Sequence, residues 1–262
     1  KDLVRPTLPP VQAAADAPDV RCLLADILSG DAARESRGYR RISEMGTRAA
    51  EPLYFSLTQT EDAHEGRICA RFLAALCPDL GERILRDIHR PADPLLKKRL
   101  LRYAVPVLDR PERRNEILTA SLESEEKGLI AEALHQVESL DPEGAPSLLM
   151  SALPRCSGRT RMEIYACLGR LEDDSCVPQL LRSLDAWKDG WNGKTLRDLE
   201  IACEALGNFR TPEILDKLEE LLIPPSKLPW KKSVPGNLRK AAMKTLLRIG
   251  GGPVADILKG YA

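Results

Sequence analysis

The chain contains few aromatic residues and few histidines. Aromatic residues make up 4% of its 262 residues, which is low for a β-sandwich or barrel and suits packing between Leu- and Ala-rich helices. The three histidines, His64, His89 and His135, are spread along the chain, and no two have the i, i+4 spacing of a metal site. We therefore expect no metal centre, and we assign no cofactor to this chain.

Paired cysteines and long apolar runs are also missing. The chain has seven cysteines, and none belongs to a Cys-x-x-Cys pair. Most lie among apolar helix residues, which favours buried, reduced thiols and a reducing compartment, the cytoplasm. No run of about 18 apolar residues occurs, so we predict neither a membrane-spanning helix nor a membrane partner.

The chain has no net charge, with 39 Lys and Arg residues against 39 Asp and Glu residues. This balance argues against a general nucleic-acid binder, because phosphate contacts require an excess of cations. The charges are nevertheless unevenly distributed. Residues 83–114 carry ten basic and four acidic residues, and residues 115–145 carry eight acidic residues against Lys127 alone. This pattern fits either a solvated polar surface or a dipolar surface on which a partner docks.

The beginning of the chain is rich in proline and alanine. Proline removes backbone donors and fixes φ, so residues 1–18 are predicted to be an extended tether. The chain opens on Lys1, and we expect it to be part of a larger protein.

From Asp19 onward, apolar residues recur with a helical period. Two Pro-x-Leu-Leu units begin at Pro146 and Pro178, 32 residues apart, with an amphipathic run and Leu168-Gly169 between them. This pattern predicts a helix, a turn, a second helix ending at Gly169, and the start of the next repeat. No stretch alternates polar and apolar residues over more than a few positions, so no strand is expected.

Several short motifs predict where helices begin and end. A helix over residues 32–45 should end at Gly46, and Pro106 should kink or end the helix that contains it. Helix starts are predicted where an N-cap residue precedes proline, at Asp93-Pro94, Asp141-Pro142 and Thr211-Pro212.

The recurring pattern of Pro-x-Leu-Leu, a polar turn and an Arg-led apolar run ending in Leu-Gly resembles the short HEAT repeat of about 30 residues. The resemblance covers residues 19–262. It implies an all-α fold, a right-handed α-solenoid of about seven antiparallel helix pairs with the second helices lining a concave surface. It also implies a turn Asp paired with an Arg at the start of the second helix, as Asp62 and Arg67 would be. Because this family mostly binds proteins, the resemblance implies a non-catalytic scaffold or regulatory module with a protein partner.

The last two repeats are longer than the others, and their insertions contain all three tryptophans. In a stack, equivalent loops of neighbouring repeats lie on one edge, about 8–10 Å apart. Tryptophans with nearby cations are typical of recognition hot spots. A second interpretation is that each tryptophan covers the ends of its own helices. The candidate partner-binding residues are Trp187, Lys188, Trp191, Lys194, Trp230, Lys231 and Lys232.

An enzymatic function is the alternative. Some HEAT-like proteins release alkylated bases from DNA or act on bilins, and such an activity would require a charged or aromatic groove with a carboxylate at its floor. The sequence contains no Gly-rich phosphate loop or Gly-x-Ser-x-Gly elbow, and we assign no catalytic residue.

Overall fold

The computed structural model describes residues 17–90, 93–185, 188, 192–209, 211–223 and 234–261. Most of these residues lie in helices, short loops and turns connect them, and no strand occurs among them, which confirms the all-α prediction. Residues 1–16 of the predicted tether lie outside the described residues. No described helix has the length and apolar character needed to cross a membrane.

The chain divides into two compact units, Lys1–Ile117 and Leu118–Ala262. The helices of the amino-terminal unit are α1 (Ala17–Ile27), α2 (Ala32–Met45), α3 (Ala50–Gln59), α4 (Ala63–Leu76), α5 (Leu80–His89) and α6 (Pro94–Arg99). A π-helical turn, Leu100–Ala104, and a 3-10 turn, Val105–Val107, continue α6. The helix α7 (Pro111–Leu122) contains the boundary between the units.

Consecutive helices in the amino-terminal unit pack as pairs. Arg34 of α2 forms an ion pair with Asp26 of α1, and Gly38, one turn later, lies against Leu23, one turn earlier. These two contacts run in opposite directions along the helices, so α1 and α2 are antiparallel. The helix α3 packs against α4 and also against α1, and α4 packs against the π-helical turn.

The carboxyl-terminal unit continues with alternating helices. They are α8 (Lys127–Leu140), α9 (Ala145–Ala152), α10 (Gly158–Leu171), α11 (Val177–Leu184), α12 (Gly193–Leu206), α13 (Pro212–Leu222), α14 (Gly236–Ile249) and α15 (Gly252–Lys259). The helices α8, α10, α12 and α14 contact one another in that order, while α11 contacts both α12 and α13. The core is made mainly of Leu, Ile, Val and Ala side chains from the facing helix stripes.

Several predicted helix ends match the structure. The helix α2 covers residues 32–45 and ends at Gly46, where φ is 58°. The helix that contains Pro106 stops at Leu108 after its π-helical and 3-10 turns. Asp93 caps α6 by accepting a hydrogen bond from the backbone N–H of Leu95 at 2.9 Å.

Two predicted boundaries are wrong. The helix α10 does not end at Gly169 but continues to Leu171, and Glu172 closes it in the left-handed conformation at φ 53°. Gly169 serves packing instead, since an added Cβ would lie 3.1 Å from the Cα of Ala205 on α12. No helix begins at Pro142 after Asp141. The Asp141 carboxylate instead accepts a hydrogen bond from the backbone N–H of Gly144, which closes a turn before α9.

Candidate interaction site

Most of the sequence-predicted binding residues lie outside the described residues. This applies to Trp187, Trp191, Trp230, Lys231 and Lys232. Lys194 belongs to the first turn of α12, but its side chain is also outside the description. The clustering of the three tryptophans therefore stays a prediction.

Lys188 is the one predicted binding residue whose side chain is described, and it belongs to a charge network. Its Nζ atom lies 2.5 Å from a carboxylate oxygen of Asp185 and 3.0 Å from one of Glu220. Lys217 of α13 contacts the same two carboxylates at 2.6 and 2.7 Å. Two cations thus pair with two anions between the segment after α11 and the helix α13, and the charge of Lys188 is balanced within this network.

The network shifts the pKa values of its members in the directions that ion pairing predicts. Hydrogen bonds from Lys217 and Lys188 lower the pKa of Glu220 below its usual value. For Asp185, partial burial opposes the charged form, but hydrogen bonds from Lys188 and Lys217 outweigh it and lower the pKa. Hydrogen bonds to Asp185 and Glu220 raise the pKa of Lys188. All three groups are therefore charged at neutral pH.

A cavity of about 300 Å³ lies in the same unit. Its volume is at the lower end of the range for small-molecule sites. Its lining is formed by Leu153, Pro154, Arg161, Tyr165, Gln179, Ser183, Thr195, Asp198 and Leu199. These residues come from α10, α11, α12 and the turn that follows α9.

A partly buried ion pair forms the polar part of this cavity. The guanidinium of Arg161 on α10 donates hydrogen bonds of 2.8 and 3.2 Å to one carboxylate oxygen of Asp198 on α12. The Asp198 side chain is only 10% exposed, and this burial raises its pKa despite the opposing effect of Arg161. Burial likewise raises the pKa of Tyr165, although a hydrogen bond with Ser183 opposes the shift. The pair holds α10 and α12 together at the cavity wall.

The sequence did not point to this ion pair, because its members are 37 residues apart and neither lies in a motif. The resemblance implied a pair within one repeat, Asp62 with Arg67. In the structure, Asp62 caps α4, because its carboxylate accepts a 2.6 Å hydrogen bond from the backbone N–H of His64. Arg67 is exposed on the next turn of the helix. The only available signal for the Arg161–Asp198 pair was that both residues lie near the starts of two Arg-led apolar runs that the sequence predicts as helices.

Most of the cysteines are buried, as predicted, and the three histidines are exposed. Burial raises the pKa of Cys69 and Cys203 to about 12 and that of Cys156 to about 11. A raised pKa keeps a thiol protonated at neutral pH and makes it a poor nucleophile. Among the described residues, no three His, Cys, Asp or Glu side chains are placed so that they could hold a metal ion.

Comparison with known proteins gives no further guidance. No family model matches the chain, and no curated protein matches its sequence.

Proposed function

We propose that the chain is an array of about seven HEAT-like helix pairs, a right-handed α-solenoid, that acts as a non-catalytic scaffold or regulatory module for a protein partner. The observation that carries this proposal is a set of ion pairs between residues one repeat apart. In the amino-terminal unit, Glu51 pairs with Arg83 at a separation of 32 residues, and Glu82 pairs with Arg113 at a separation of 31.

The same spacing recurs in the carboxyl-terminal unit. Glu138 accepts a hydrogen bond from Arg170, and Asp185 accepts one from Lys217, each at a separation of 32 residues. Residues one period apart meet repeatedly when each repeat stacks on the next, as in a solenoid. In such an array the second helices would line a concave surface, and binding would need no covalent step.

The tryptophan insertions between α11 and α12 and between α13 and α14 are proposed as part of the partner-binding surface. These insertions interrupt a regular array, and in repeat proteins insertions map to loops on one face, often the binding face. Tryptophan supplies the large contact area typical of interface hot spots. The sites proposed here are Trp187, Trp191 and Trp230 with the neighbouring lysines.

Affinity capture with matched variants tests this proposal. The wild-type chain should retain a specific partner from native lysate, and Trp191→Ala combined with Trp230→Ala should reduce the captured amount about tenfold or more, the effect of removing interface hot spots. Far-ultraviolet circular dichroism should show the same helical content in both proteins. Equal capture by the variant, or loss of its helical signal, would support the interpretation that the tryptophans cover helix ends.

A second candidate function is that of a HEAT-like enzyme acting on alkylated DNA. The observation that favours it is the carboxylate of Asp198 at the wall of the cavity between α10 and α12. That carboxylate is already engaged by Arg161, which is why we place this candidate second.

Incubation with an alkylated DNA duplex separates this second candidate from the scaffold. An enzyme of this type would release the modified base, and Asp198→Asn would abolish the release while Arg170→Gln, a substitution outside the cavity, would not. If wild-type protein releases no base above background, the enzymatic candidate is rejected.

A further inference from the structure

Three second-helix segments lie side by side in the amino-terminal unit. Tyr39 of α2 packs against Phe72 of α4, with ring centroids 5.5 Å apart. Gly66 of α4 packs so closely on the ring of Tyr103 that an added Cβ would lie 2.6 Å from it. The helix α4 is therefore in the middle, between α2 and the segment 94–107.

These three segments carry most of the positive charge of their unit. Residues 32–48, 63–77 and 94–107 contain eleven Lys and Arg residues and three Asp and Glu residues. The other described residues of the unit, 17–31, 49–62, 78–90, 93 and 108–117, contain seven basic and thirteen acidic residues. Positive charge is thus concentrated on the second helices and negative charge on the first helices and turns.

The cations on the three segments form i, i+4 pairs that recur with the repeat. The pairs are Arg37 with Arg41, Arg67 with Arg71, and Lys98 with Arg102. Successive pairs are 30 and 31 residues apart in sequence, close to the separations of the ion pairs that join neighbouring repeats. Side chains at i and i+4 share one face of a helix, so each segment presents a two-cation stripe.

These stripes are accessible, and part of their charge is uncompensated. All six residues are exposed except Lys98, which is half-buried. Arg41 has one long contact with Glu44, at 3.9 Å. Arg67 and Arg71 of α4, in the middle of the row, have no ion-pair partner among the described residues.

Apolar side chains accompany the cations. Leu95, three residues before Lys98, is 47% exposed, and Tyr39 is 39% exposed. Leu95, Lys98 and Arg102 also line a cavity of about 170 Å³ together with Thr60, Glu61, Arg99 and Tyr103. Arg99 is occupied there, since it donates a 2.5 Å hydrogen bond to the carbonyl oxygen of Thr58.

We propose that the basic surface formed by Arg37, Arg41, Arg67, Arg71, Lys98 and Arg102 binds an acidic, partly apolar segment of a protein partner. This inference rests on the scaffold function proposed above and names the chemistry of the partner. Carboxylates of the segment pair with the three cation stripes, and its apolar side chains contact Leu95 and Tyr39. Arginine suits this role because its planar guanidinium accommodates a carboxylate through two parallel hydrogen bonds.

A protein segment fits this surface better than a nucleic acid does. The whole chain has a net charge of zero and a pI of about 7.0, whereas nucleic-acid-binding domains are typically basic overall. The first helices and turns of the same unit together carry a net negative charge and would repel an extended phosphate backbone that left the basic surface. A short acidic segment needs only the basic surface itself.

Fluorescence anisotropy tests the inference directly. The probe is a fluorescently labelled peptide in which clusters of Glu alternate with Leu residues. The wild-type chain should bind this peptide, and Arg67→Gln combined with Arg71→Gln should raise Kd about tenfold. Raising the salt concentration should weaken wild-type binding more than variant binding, because the contacts are exposed. The matched control, Arg86→Gln combined with Arg110→Gln, removes two exposed cations of the same unit from first-helix and turn positions and should leave Kd unchanged.

Three results would overturn the inference. The first is absence of peptide binding, or equal binding by the two variants. The second is tighter binding of a single-stranded or duplex oligonucleotide that the same Arg67 and Arg71 substitutions abolish. The third is self-association on sedimentation that those substitutions abolish, which would make a second copy of this chain the occupant. If the double variant still captures the lysate partner, the scaffold function stands and only the proposed surface is wrong.

Discussion

Arg83 of α5 and Glu51 of α3, 32 residues apart, form a bidentate ion pair with N–O distances of 2.5 and 2.8 Å. The same guanidinium lies 3.6 Å from the ring centre of Tyr54, whose hydroxyl donates a 2.5 Å hydrogen bond to Asp87. One arginine therefore contacts two residues of α3. It joins α5 to α3 by charge and by cation–π attraction.

Replacing Arg83 should weaken the contact between α3 and α5. We expect Arg83→Ala to lower the free energy of unfolding by about 1 kcal/mol, mainly through the cation–π contact, since Glu51 is largely exposed and its pair is screened. The control is Arg86→Ala on the exposed face of the same helix, which should change stability by less than about 0.5 kcal/mol. Urea unfolding measures the free energy of unfolding of both variants. Equal losses would contradict the claim that Arg83 holds α5 against α3.

A methyl group at Gly169 should be costly because α10 and α12 are in close contact there. The added Cβ would meet the Cα and carbonyl oxygen of Ala205, both backbone atoms, at 3.1 and 3.2 Å. We expect Gly169→Ala to destabilise by about 1–3 kcal/mol. Gly128→Ala in α8 is the matched control, because its Cβ would meet nothing within 4 Å and alanine favours helix. The prediction is wrong if both substitutions shift the urea midpoint alike.

The seven thiols should differ widely in reactivity. Cys22 is exposed, while Cys69 and Cys203 are buried with raised pKa values. Brief alkylation of the native protein followed by peptide mass mapping should modify Cys22 first, and Cys69 and Cys203 only after unfolding. Cys22→Ser should remove the earliest modification. Early modification of Cys69 or Cys203 would show that the core around them opens readily.

The charge network around Lys217 should make a pH-dependent contribution to stability. Asp185 and Glu220 have folded pKa values below their ordinary values of 3.8 and 4.5. For carboxylates with lowered pKa, the stabilisation is complete above the unfolded pKa and is lost as the pH falls through the folded pKa.

Wild type should therefore be more stable than Lys217→Met by about 1 kcal/mol at neutral pH, the upper end of what pairs with exposed carboxylates contribute. The difference should shrink once the pH falls below about 4. Lys240→Met, at an exposed position of α14, serves as the control and should show little difference at either pH. A wild-type advantage that grows with acidification would mean that the sign of these shifts is wrong.

The helix boundaries that depend on local chemistry were predictable from the sequence. Gly46 ends α2 because the chain needs a positive φ there, and Pro106 ends its helix because it lacks a donor. Leu168-Gly169 looks like the same kind of signal, but its glycine is needed for the close approach of another helix. A local rule cannot separate these two uses of glycine, since the second depends on a residue 36 positions away.

The candidate sites also separate into features that the local sequence indicates and features that depend on how distant helices pack. The tryptophan insertions stand out because they break the repeat period. The pairing of Arg161 with Asp198, and of Lys188 and Lys217 with Asp185 and Glu220, depends on which helix faces stack. Of the basic surface, only Lys98 and Arg102 lie in the charge-rich block at residues 83–114. The other four cations lie on α2 and α4, and the packing of these helices against each other and against Tyr103 is not a local feature of the sequence.

Hydrogen–deuterium exchange of the chain, alone and with its captured partner, tests the central claim most directly. A scaffold that binds through an extended surface should show slowed exchange in peptides from at least three consecutive helix pairs, including α2, α4 and residues 94–107. Protection confined to residues 153–199, which contain the cavity beside Asp198, would contradict the scaffold and indicate a single local site.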